Sequence, residues 1–437
     1  DPLLRGALVL QYSKLNYLSF TEPTSSYISK TSYQYTSSLS ANKVFKLTLD
    51  SSLTQNELEQ TYTNITYQHD QYNNPTNIYT NYSGEGSTNT VIGYDNNEGT
   101  NYYIGRVLNK TETSSVGLET FSTESQFDYT NYLLTERKTK GHNTPFDMEL
   151  FEYDTYGNVI KKTIIPNGES ARFVEFEFDP SGRFLEKSND VEGLETVYDY
   201  DYGKGWLTKL TNPFGQETSY DYNHWDRLTK EVDYLNNEVN TSYSESNYIY
   251  TVNETGDDGS GRIVVYDPLK RITKISEKNV LGQWVNTSFE YDDLDRPIKE
   301  SEPYIGGNPT QWNETTYDNY GRPTSRTLYT GRTINITYKG LTVTVNDGVK
   351  TVTTTYDAMK NTTSVTDPGG TINYKYYGNG NLKSTSFNGV VVSIERDGWG
   401  RKTKLIDPSA GTFKYRYNGF GEILEERNPK GKRERTL

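Results

Sequence analysis

The sequence predicts an all-β protein made of tandem antiparallel β-hairpins that continue into one long sheet. Three observations support this class: a short phrase recurs along the chain, apolar and polar residues alternate beside it, and tyrosine supplies much of the apolar content. The phrase is clearest at residues 153–162, which read as a strand, a tight turn closed by glycine and a second strand. We interpret the rest of the chain as the spacing between such turns.

Each part of the phrase has a physical reason. An Asp or Asn at the first corner can accept a hydrogen bond from the backbone two residues later and so presets a turn. A glycine three residues after that corner adopts the positive φ that closes the turn at little cost. Alternation beside the turns is typical of half-buried strands, as where Phe413, Tyr415 and Tyr417 share one face. A hairpin of this kind fills roughly 20 residues, which is close to the spacing from Tyr200 to Tyr222.

The repeats supply a set of predicted structural turn residues: the aromatic residue before the turn, the acid at its first corner and the closing glycine. They are Tyr153, Asp154, Gly157, Phe178, Asp179, Gly182, Tyr266, Asp267, Tyr291, Asp292, Tyr317, Asp318, Gly321, Tyr356, Asp357, Asp397, Gly400, Tyr417 and Gly421. Second turn signals, as at residues 212–215, 367–370 and 428–431, close the opposite ends of the strand pairs. Asp226, Lys270, Asp295 and Lys360 stand where glycine is usual, which predicts wider turns there.

The repeats also set the expected domain organisation. Residues 1–65 are predicted to form an irregular β-rich lead-in that includes the largely apolar stretch 3–10, and residues 66–437 form the repeat segment, regular from about residue 151. Residues 50–60 could form a short helix, but β-branched neighbours favour strand or loop, and the Gly- and Asn-rich stretch 81–101 reads mostly as loop. Repeat units bury their faces by stacking on neighbouring units, so the two ends of a repeat array need capping segments. Neither terminus resembles such a cap. We therefore expect a segment truncated at both ends.

Composition and charge narrow the possible functions. Only 32% of the 437 residues are hydrophobic and 39 residues are tyrosine, so apolar side chains are too few for several compact cores. Tyrosine can instead cover a sheet face while its hydroxyl stays in water. A net charge of −13 argues against binding nucleic acid or an anionic membrane surface. The sequence contains no run of about 18 apolar residues, so it predicts no membrane-spanning helix. The absence of cysteine excludes disulfides.

No motif predicts a catalytic residue, a cofactor or a metal site. His69, His142 and His224 lie in separate repeats without cysteine partners or a zinc-binding spacing. The acidic stretches 257–261 and 292–295 could offer oxygens to calcium, but they lack the ligand alternation of a calcium loop and fit turns better. A carboxylate pair for glycoside hydrolysis stays open because acids are abundant. Since the acids recur at repeat positions, we favour turn formation and expect no enzyme.

Tryptophan suggests a different kind of binding. Trp225 and Trp312 are candidates for stacking on sugars, since exposed aromatic rings on a β surface can do so. The alternative is that the tryptophans pack across neighbouring hairpins as aromatic pairs.

Tandem Tyr-Asp-x-x-Gly-Arg units of this spacing, as at residues 317–322, resemble the Rhs or YD-repeat family. That family includes bacterial Rhs toxins, the B and C components of insecticidal Tc toxin complexes, and the animal teneurins. The resemblance covers roughly residues 60–437. The sequences at residues 301–304 and 394–402 resemble the repeats of this family found in Bacteroidetes.

The resemblance implies a long antiparallel sheet that spirals into a hollow shell, which in bacterial members encloses a C-terminal toxic domain. It also implies a self-cleaving aspartate site beyond the repeats, but residues 179–182, 367–370 and 407–409 match only turns and receive no protease role. We therefore expect a non-enzymatic shell segment of a secreted or cell-surface protein. Its expected partners are its own C-terminal cargo domain, other shell or toxin-complex subunits and surface glycans. The alternative is a cell-surface adhesin or carbohydrate-binding repeat module.

Overall fold

The computed structural model describes residues 10–13, 28–39 and 45–435. Within those ranges the chain forms 37 β-strands and no helix. The predicted all-β class is thus confirmed. All recorded strand pairs are antiparallel, as between β8 (Glu119–Thr130) and β9 (Leu133–Lys140).

The strands follow one another with short connections throughout the described chain. The first group is β1 (Leu10–Ser13), β2 (Ser29–Leu39), β3 (Phe45–Asn56), β4 (Thr61–His69), β5 (Pro75–Tyr82), β6 (Gly86–Asn97), β7 (Tyr103–Val116), β8, β9, β10 (Asp147–Tyr153), β11 (Val159–Ile165) and β12 (Arg172–Phe178). The second is β13 (Leu185–Asn189), β14 (Glu195–Asp201), β15 (Trp206–Thr211), β16 (Glu217–Tyr222), β17 (Leu228–Val232), β18 (Glu238–Ser246), β19 (Ile249–Gly256), β20 (Gly261–Tyr266), β21 (Ile272–Lys278), β22 (Trp284–Tyr291), β23 (Pro297–Ser301), β24 (Tyr304–Ile305) and β25 (Trp312–Tyr317). The third is β26 (Pro323–Thr327), β27 (Thr333–Lys339), β28 (Thr342–Asn346), β29 (Thr351–Tyr356), β30 (Thr362–Asp367), β31 (Gly370–Tyr376), β32 (Leu382–Phe387), β33 (Val390–Arg396), β34 (Lys402–Asp407), β35 (Gly411–Tyr417), β36 (Ile423–Arg427) and β37 (Arg433–Arg435).

Each recorded pair joins strands that are consecutive in the chain, apart from one branch point. Strand β22 pairs along one end with β23 and along the other with β24, while β23 continues the ladder to β25. Pro303 lies between β23 and β24, and because proline has no N–H to donate, the strand is broken there. The hydroxyl of Ser301, which is 2% exposed, accepts the backbone N–H of Ser288 at 2.9 Å beside this break.

A β-bulge precedes the turn in repeat after repeat. In β22 the register shifts between Glu290 and Tyr291, so that Glu290 faces Lys299 but Tyr291 faces Pro297. The same shift occurs just before Tyr317 and Tyr417. A bulge bends a strand and increases its local twist. The register therefore changes where each hairpin approaches its turn.

The sheet carries little apolar core. Among the described residues, Val264 and Pro166 are the buried apolar side chains, whereas Ser276, Asn286 and Asn313 are buried polar residues. The accessible surface of 27196 Å² compares with about 17,000 Å² expected for a compact chain of this mass. Most residues are therefore half-buried, as expected where both faces of a sheet remain accessible.

The two faces of the sheet differ in chemistry. In β16 the residues alternate between exposed and half-buried, and Tyr220 and Tyr222 lie on the half-buried side. On the opposite face Lys209 is 3.2 Å from Asp199 and 3.1 Å from Glu217, which belong to the two flanking strands. Each strand thus contributes alternately to a tyrosine-rich face and to a charged face.

Two expectations concern the N-terminal part of the repeats. The stretch 81–101 is not mostly loop, because β6 takes twelve of its residues and pairs with β5 on one side and β7 on the other. Its threonines, Val91 and Ile92 favour an extended chain, and pairing on both edges outweighs the Gly and Asn content. Residues 50–60 are strand and turn, as favoured. Apart from Leu10, the apolar stretch 3–10 lies outside the described residues.

The chain separates into two compact units. Unit 1 comprises residues 1–150, 164–171 and 337–437, and unit 2 comprises residues 151–163 and 172–336.

Candidate functional site at the Tyr-Asp turns

The Tyr-Asp turn is a five-residue loop held by its first carboxylate. We number its positions 1 to 5 from the Asp or Asn, so that Asp318 is position 1 and Arg322 is position 5. The backbone N–H of Asp318 donates to the carbonyl of Arg322 at 2.9 Å, and that of Gly321 donates to the carbonyl of Asp318 at 3.1 Å. The carboxylate oxygen Oδ1 of Asp318 accepts the N–H groups of Tyr320 at 2.8 Å and Arg322 at 2.9 Å. One side chain thereby satisfies two backbone donors that the loop would otherwise leave free.

Turns that lack glycine at position 4 keep the same geometry, so the expectation of wider turns is wrong. The backbone N–H at position 4 still donates to the carbonyl at position 1, over 2.9 to 3.1 Å, in the turns that contain Asp226, Lys270, Asp295 and Lys360. These four residues adopt the left-handed conformation themselves, with φ between 60° and 69°. Side-chain contacts offset part of that cost. Asp226 accepts the indole N–H of Trp206 at 3.0 Å, and Asp295 pairs with Arg271 at 2.6 Å.

Arginine at position 5 joins one turn to the next. The Nε of Arg296 donates to Oδ2 of Asp292 within the same turn at 2.7 Å. Its NH1 group donates to the backbone carbonyl of Asp318, which opens the following Tyr-Asp turn, at 3.2 Å. The guanidinium also lies over the ring of Tyr317, 4.8 Å from its centroid, where a cation is attracted by the ring electrons.

The tyrosine of the following repeat completes the connection. The hydroxyl of Tyr317 donates to the carbonyl of Pro297, the residue next to Arg296, at 2.7 Å. We call this pair of contacts, guanidinium over ring and hydroxyl to carbonyl, the arginine–tyrosine link. It recurs at other turns: Arg271 with Tyr291 and the carbonyl of Ile272, and Arg401 with Tyr417 and the carbonyl of Lys402.

Asparagine at position 5 performs a similar connection in the turn that begins at Asp154. The amide of Asn158 donates to Oδ2 of Asp154 at 2.9 Å and to the carbonyl of Gly182, in the next turn, at 2.8 Å. The position-5 residues were not among the site residues predicted from the sequence. The Arg that follows glycine in the recurring phrase was the available signal.

Hydrogen bonds hold the turn carboxylates of Asp179 and Asp292 in their charged form. The side chain of Arg296 holds the pKa of Asp292 below its usual value. The hydroxyl of Ser181, with the backbone N–H groups of residues 181, 183 and 184, lowers the pKa of Asp179 to about 2. Hydrogen bonds to a carboxylate favour its ionised form. These acids therefore serve as hydrogen-bond acceptors for the backbone of the turn.

The predicted sugar-stacking residues lie in different settings. Trp225 is position 3 of the turn between β16 and β17, is 67% exposed, and lies 4.9 Å from the ring of His224. Trp312 begins β25 and is half-buried, with the ammonium of Lys299 5.9 Å from its ring. Among the described residues no ring contact joins the two tryptophans. By contrast, Trp206 stacks on Tyr222 across a hairpin at 5.2 Å.

The histidines lie in separate local environments. His69 stacks on Tyr67, and His142 stacks on Phe121 while its Nδ1 accepts the backbone N–H of Ser122 at 3.2 Å. In the part of the chain that the structure describes, no group of three or more His, Asp or Glu residues is placed to hold a metal ion. No helix there is long and apolar enough to cross a membrane.

Removing the position-5 guanidinium tests the arginine–tyrosine link. Arg296→Ala is expected to lower the free energy of unfolding, measured by urea titration, more than Arg262→Ala does. Arg262 forms only cross-strand ion pairs on the exposed face, with Glu254 and Glu277, and such pairs contribute about 0.2–1 kcal/mol. Equal losses in the two variants would contradict a special role for Arg296.

The requirement for glycine at position 4 can be tested at Gly321, where an added methyl group would contact nothing. A Cβ at Gly321 would meet no atom within 4 Å, but the residue has a φ of +80°. Gly321→Ala is therefore expected to destabilise the protein by about 1 kcal/mol through backbone conformation alone. Gly203→Ala is the control, since Gly203 lies in a turn without a positive φ, and its thermal stability should change less.

The lowered pKa of Asp179 predicts a loss of stability in acid. Unfolded aspartate has a pKa of about 3.9, so the contribution of Asp179 is complete above that pH and is lost as pH falls through about 2. Ser181→Ala removes the largest cause of the lowered pKa and should move this loss to higher pH. The measurement is the urea midpoint between about pH 5 and pH 2. Identical pH profiles for wild type and Ser181→Ala would contradict the assignment.

Comparisons with known proteins agree with this geometry. The family described as RHS Repeat matches residues 200–234, which begin at the end of β14 and contain β15 to β17. No protein of curated function matches the chain in sequence.

Solved structures with a similar fold belong to toxin complexes. A complex of TcdB2 and TccC3 with Cdc42 aligns over 93% of this chain and 33% of its own, with a TM-score of 0.73 and 8% identity. The Tc holotoxin pore of Photorhabdus luminescens aligns over 93% of this chain and 32% of its own, with a TM-score of 0.72 and 9% identity. TcdB2–TccC3 without its hypervariable C-terminal region aligns over 99% and 33%, with a TM-score of 0.66 and 10% identity.

This chain thus spans about a third of the length of the chains that it resembles. At such low identity the likeness concerns the fold, and the RHS repeat at residues 200–234 adds a match in sequence. The recurring Tyr-Asp turns, the matched repeat and the shared β-sheet fold lead to one conclusion: the resemblance to the Rhs or YD-repeat family is confirmed, in sequence at residues 200–234 and in fold over most of the chain.

Proposed function

We propose that this chain is a non-enzymatic wall segment of a secreted Rhs-type protein that encloses or carries a C-terminal effector. The observation that supports the proposal most strongly is the arginine–tyrosine link. It ties successive hairpins together at their turns and lets a long sheet hold its shape without an apolar core. Arg271, Arg296 and Arg401 make this connection through hydrogen bonds and ring contacts to the next repeat.

The chemistry of the sheet faces supports a container rather than an enzyme. Three half-buried lysines of unit 2, Lys187, Lys209 and Lys299, are each shared between carboxylates of the two flanking strands. Lys299, for example, lies 3.6 Å from Glu290 and 3.5 Å from Glu314. Such a face offers ion pairs already satisfied within the wall. It therefore presents few unpaired lysines to a polypeptide beside it, which suits a wall that must not hold its cargo tightly.

The acids of this chain already have a structural use. Asp292 and Asp318 each accept two backbone N–H groups and an arginine, so their oxygens are occupied by the turn. A glycosidase needs one carboxylic acid free to donate a proton and a second carboxylate facing it. The lowered pKa values of Asp292 and Asp318 favour a role in turn structure over a role as general acids.

The related structures add the biological context of the proposal. They include a Tc holotoxin pore and a complex without its hypervariable C-terminal region. By analogy, we propose that this segment works outside the producing cell, with its own C-terminal domain as cargo and with other toxin-complex subunits as partners.

Protection of the cargo from protease tests enclosure directly. In the natural-length protein that carries this segment, the region after the repeats should resist a protease added to the native protein. In the double variant Arg296→Ala/Arg401→Ala the same region should be cleaved faster, because two arginine–tyrosine links of the wall are lost. The control is Arg262→Ala/Arg326→Ala, which removes exposed cross-strand ion pairs only. Cleavage of the C-terminal region at the same fast rate in wild type and variant would contradict enclosure.

A second candidate function is glycan binding by an adhesin-like surface. The observation in its favour is the 67% exposure of Trp225 at a turn tip, where an aromatic ring is free to stack on a sugar. Binding to a glycan array should fall in Trp225→Ala and change less in Trp312→Ala, whose ring is half-buried. Failure of the wild-type chain to bind any glycan, or unchanged binding by Trp225→Ala, would rule out this role for Trp225.

A further inference from the structure

Four turns of the Tyr-Asp type in unit 1, three opened by Asp or Asn and one with Tyr377 at position 1, contact hairpin ends that lie far earlier in the chain. The backbone N–H of Ala358 donates to Glu85 at 2.6 Å across 273 positions, and the N–H of Gly419 donates to Glu169 at 3.2 Å across 250 positions. We call the four turns, at residues 357–361, 377–381, 397–401 and 418–422, the docked turns. The earlier hairpin ends at residues 85–86, 114–121, 141–144 and 166–169 are the receiving ends.

The two sets of hairpin ends meet in sequence order. Lys383, just after the second docked turn, pairs with Glu119 at 2.5 Å across 264 positions. In the third docked turn, the carbonyl of Gly398 accepts the backbone N–H of His142 at 2.7 Å. Each later docked turn thus meets a later receiving end. One row of turns therefore lies in register along another row.

Position 2 of the docked turns is small because backbone lies against it. A Cβ on Gly378 would come within 2.6 Å of the carbonyl oxygen of Ser114, and one on Gly398 within 2.0 Å of the carbonyl oxygen of His142. A Cβ on Gly419 would come within 2.4 Å of Pro166. These three glycines have no positive φ in the turn. Position 2 requires glycine here because another hairpin approaches it closely. Position 4 requires glycine for a different reason, its positive φ.

Turns that contact no receiving end carry larger residues at position 2. The same position in these turns is occupied by exposed residues: Gln71, Thr155, Pro180, His224, Pro268, Asp293 and Asn319. The first docked turn has Ala358 there, and the other three have glycine. The size of the residue at position 2 therefore separates docked turns from undocked ones.

Position 3 shows the corresponding difference in burial. In the docked turns, the sulfur of Met359 lies against Gly86, which could not accept a Cβ, and the ring of Trp399 lies 3.2 Å from the place of a Cβ on Gly141. In undocked turns the apolar residues at position 3 are exposed, for example Leu269 at 65% and Leu294 at 70%. Docking therefore covers an apolar side chain at position 3 when position 2 lets the backbones approach.

We propose that a small residue at position 2 of a Tyr-Asp turn is the signal by which one row of hairpins docks onto the opposite hairpin ends of an earlier row. The interaction surface is the set of receiving ends in unit 1, and the partner that fits it is a row of Tyr-Asp turns with Gly or Ala at position 2. The receiving ends contact the turn backbone through the carboxylates of Glu85 and Glu169 and through the backbone N–H of His142. The proposal concerns contacts within the repeats and does not depend on enclosure of a cargo.

A cavity lies beside the third docked turn. It has a volume of about 400 Å³ and lies between the second and third docked turns and their receiving ends, lined by Phe121, His142, Tyr377 and Arg396 among others. The rows are therefore not packed continuously along their length. Between these two turns, docking therefore depends more on the contacts at position 2 than on continuous packing.

Amide hydrogen exchange tests the proposal. Gly398→Ala places a methyl group where the carbonyl of His142 lies, so the amide of His142 should lose its partner and exchange about tenfold faster or more. The control is Asn319→Ala, which changes position 2 of an undocked turn in unit 2 and should leave exchange at residues 141–144 unchanged. Unchanged exchange at His142 in a folded Gly398→Ala variant would overturn the proposal.

If Gly398→Ala does not fold, swapping the charges of Lys383 and Glu119 tests the proposal instead. Lys383→Glu places a carboxylate opposite Glu119 and should speed amide exchange at residues 119–122. The double variant Lys383→Glu/Glu119→Lys restores opposite charges and should return exchange toward the wild-type rate. If the double variant exchanges as fast as Lys383→Glu, the rows are not docked at this pair and the proposal is overturned.

Discussion

The carboxylate at position 1 of the Tyr-Asp turn is the constraint on which the rest of the structure depends. It accepts two backbone N–H groups of its own loop and one side-chain donor from position 5, so the loop closes and the position-5 residue is held in place. That residue is then free to contact the next repeat. The physical consequence is that each turn orients its successor, and a sheet with very few buried apolar side chains keeps a regular register.

This arrangement explains the unusual composition. A compact domain of similar length would bury many Leu, Ile and Val side chains, whereas here Val264 and Pro166 are the buried apolar side chains of the described residues. Tyrosine replaces them because it can do two things at once. Its ring packs under a guanidinium and along the half-buried face, and its hydroxyl satisfies a backbone carbonyl of the neighbouring hairpin, as Tyr291 does with Ile272.

Much of the fold could be predicted from the sequence, because the turn chemistry is local. Asp at position 1 and glycine at position 4 act within five residues, and the alternation of Phe413, Tyr415 and Tyr417 fixes a strand face. The width of the turns at Lys270 and Asp295 was predicted wrongly. The cost of a left-handed φ is small enough to be offset by a contact, such as that of Arg271 with Asp295, with another repeat. Such a contact cannot be read from the turn itself.

The contacts between repeats were the part that sequence patterns left undetermined. Arg296 stands beside its turn in the sequence, yet its partners Tyr317 and Asp318 belong to the following repeat. Likewise Gly398 looks like an ordinary turn residue, and only the approach of His142 from a distant hairpin gives its size a reason. Stretch 81–101 was misjudged for a related cause, since its strand is defined by partners on both sides rather than by its own residues.

The most direct test of this account is a double-mutant cycle on the arginine–tyrosine link itself. Arg296→Ala, Tyr317→Phe, Tyr317→Ala and the corresponding double variants would be unfolded in urea under identical conditions. The account predicts a coupling energy of about 0.5–1 kcal/mol or more in the cycle with Tyr317→Ala and little coupling in the cycle with Tyr317→Phe, because the phenylalanine ring keeps the cation contact. Additive losses in the cycle with Tyr317→Ala would contradict the claim that this contact ties one hairpin to the next.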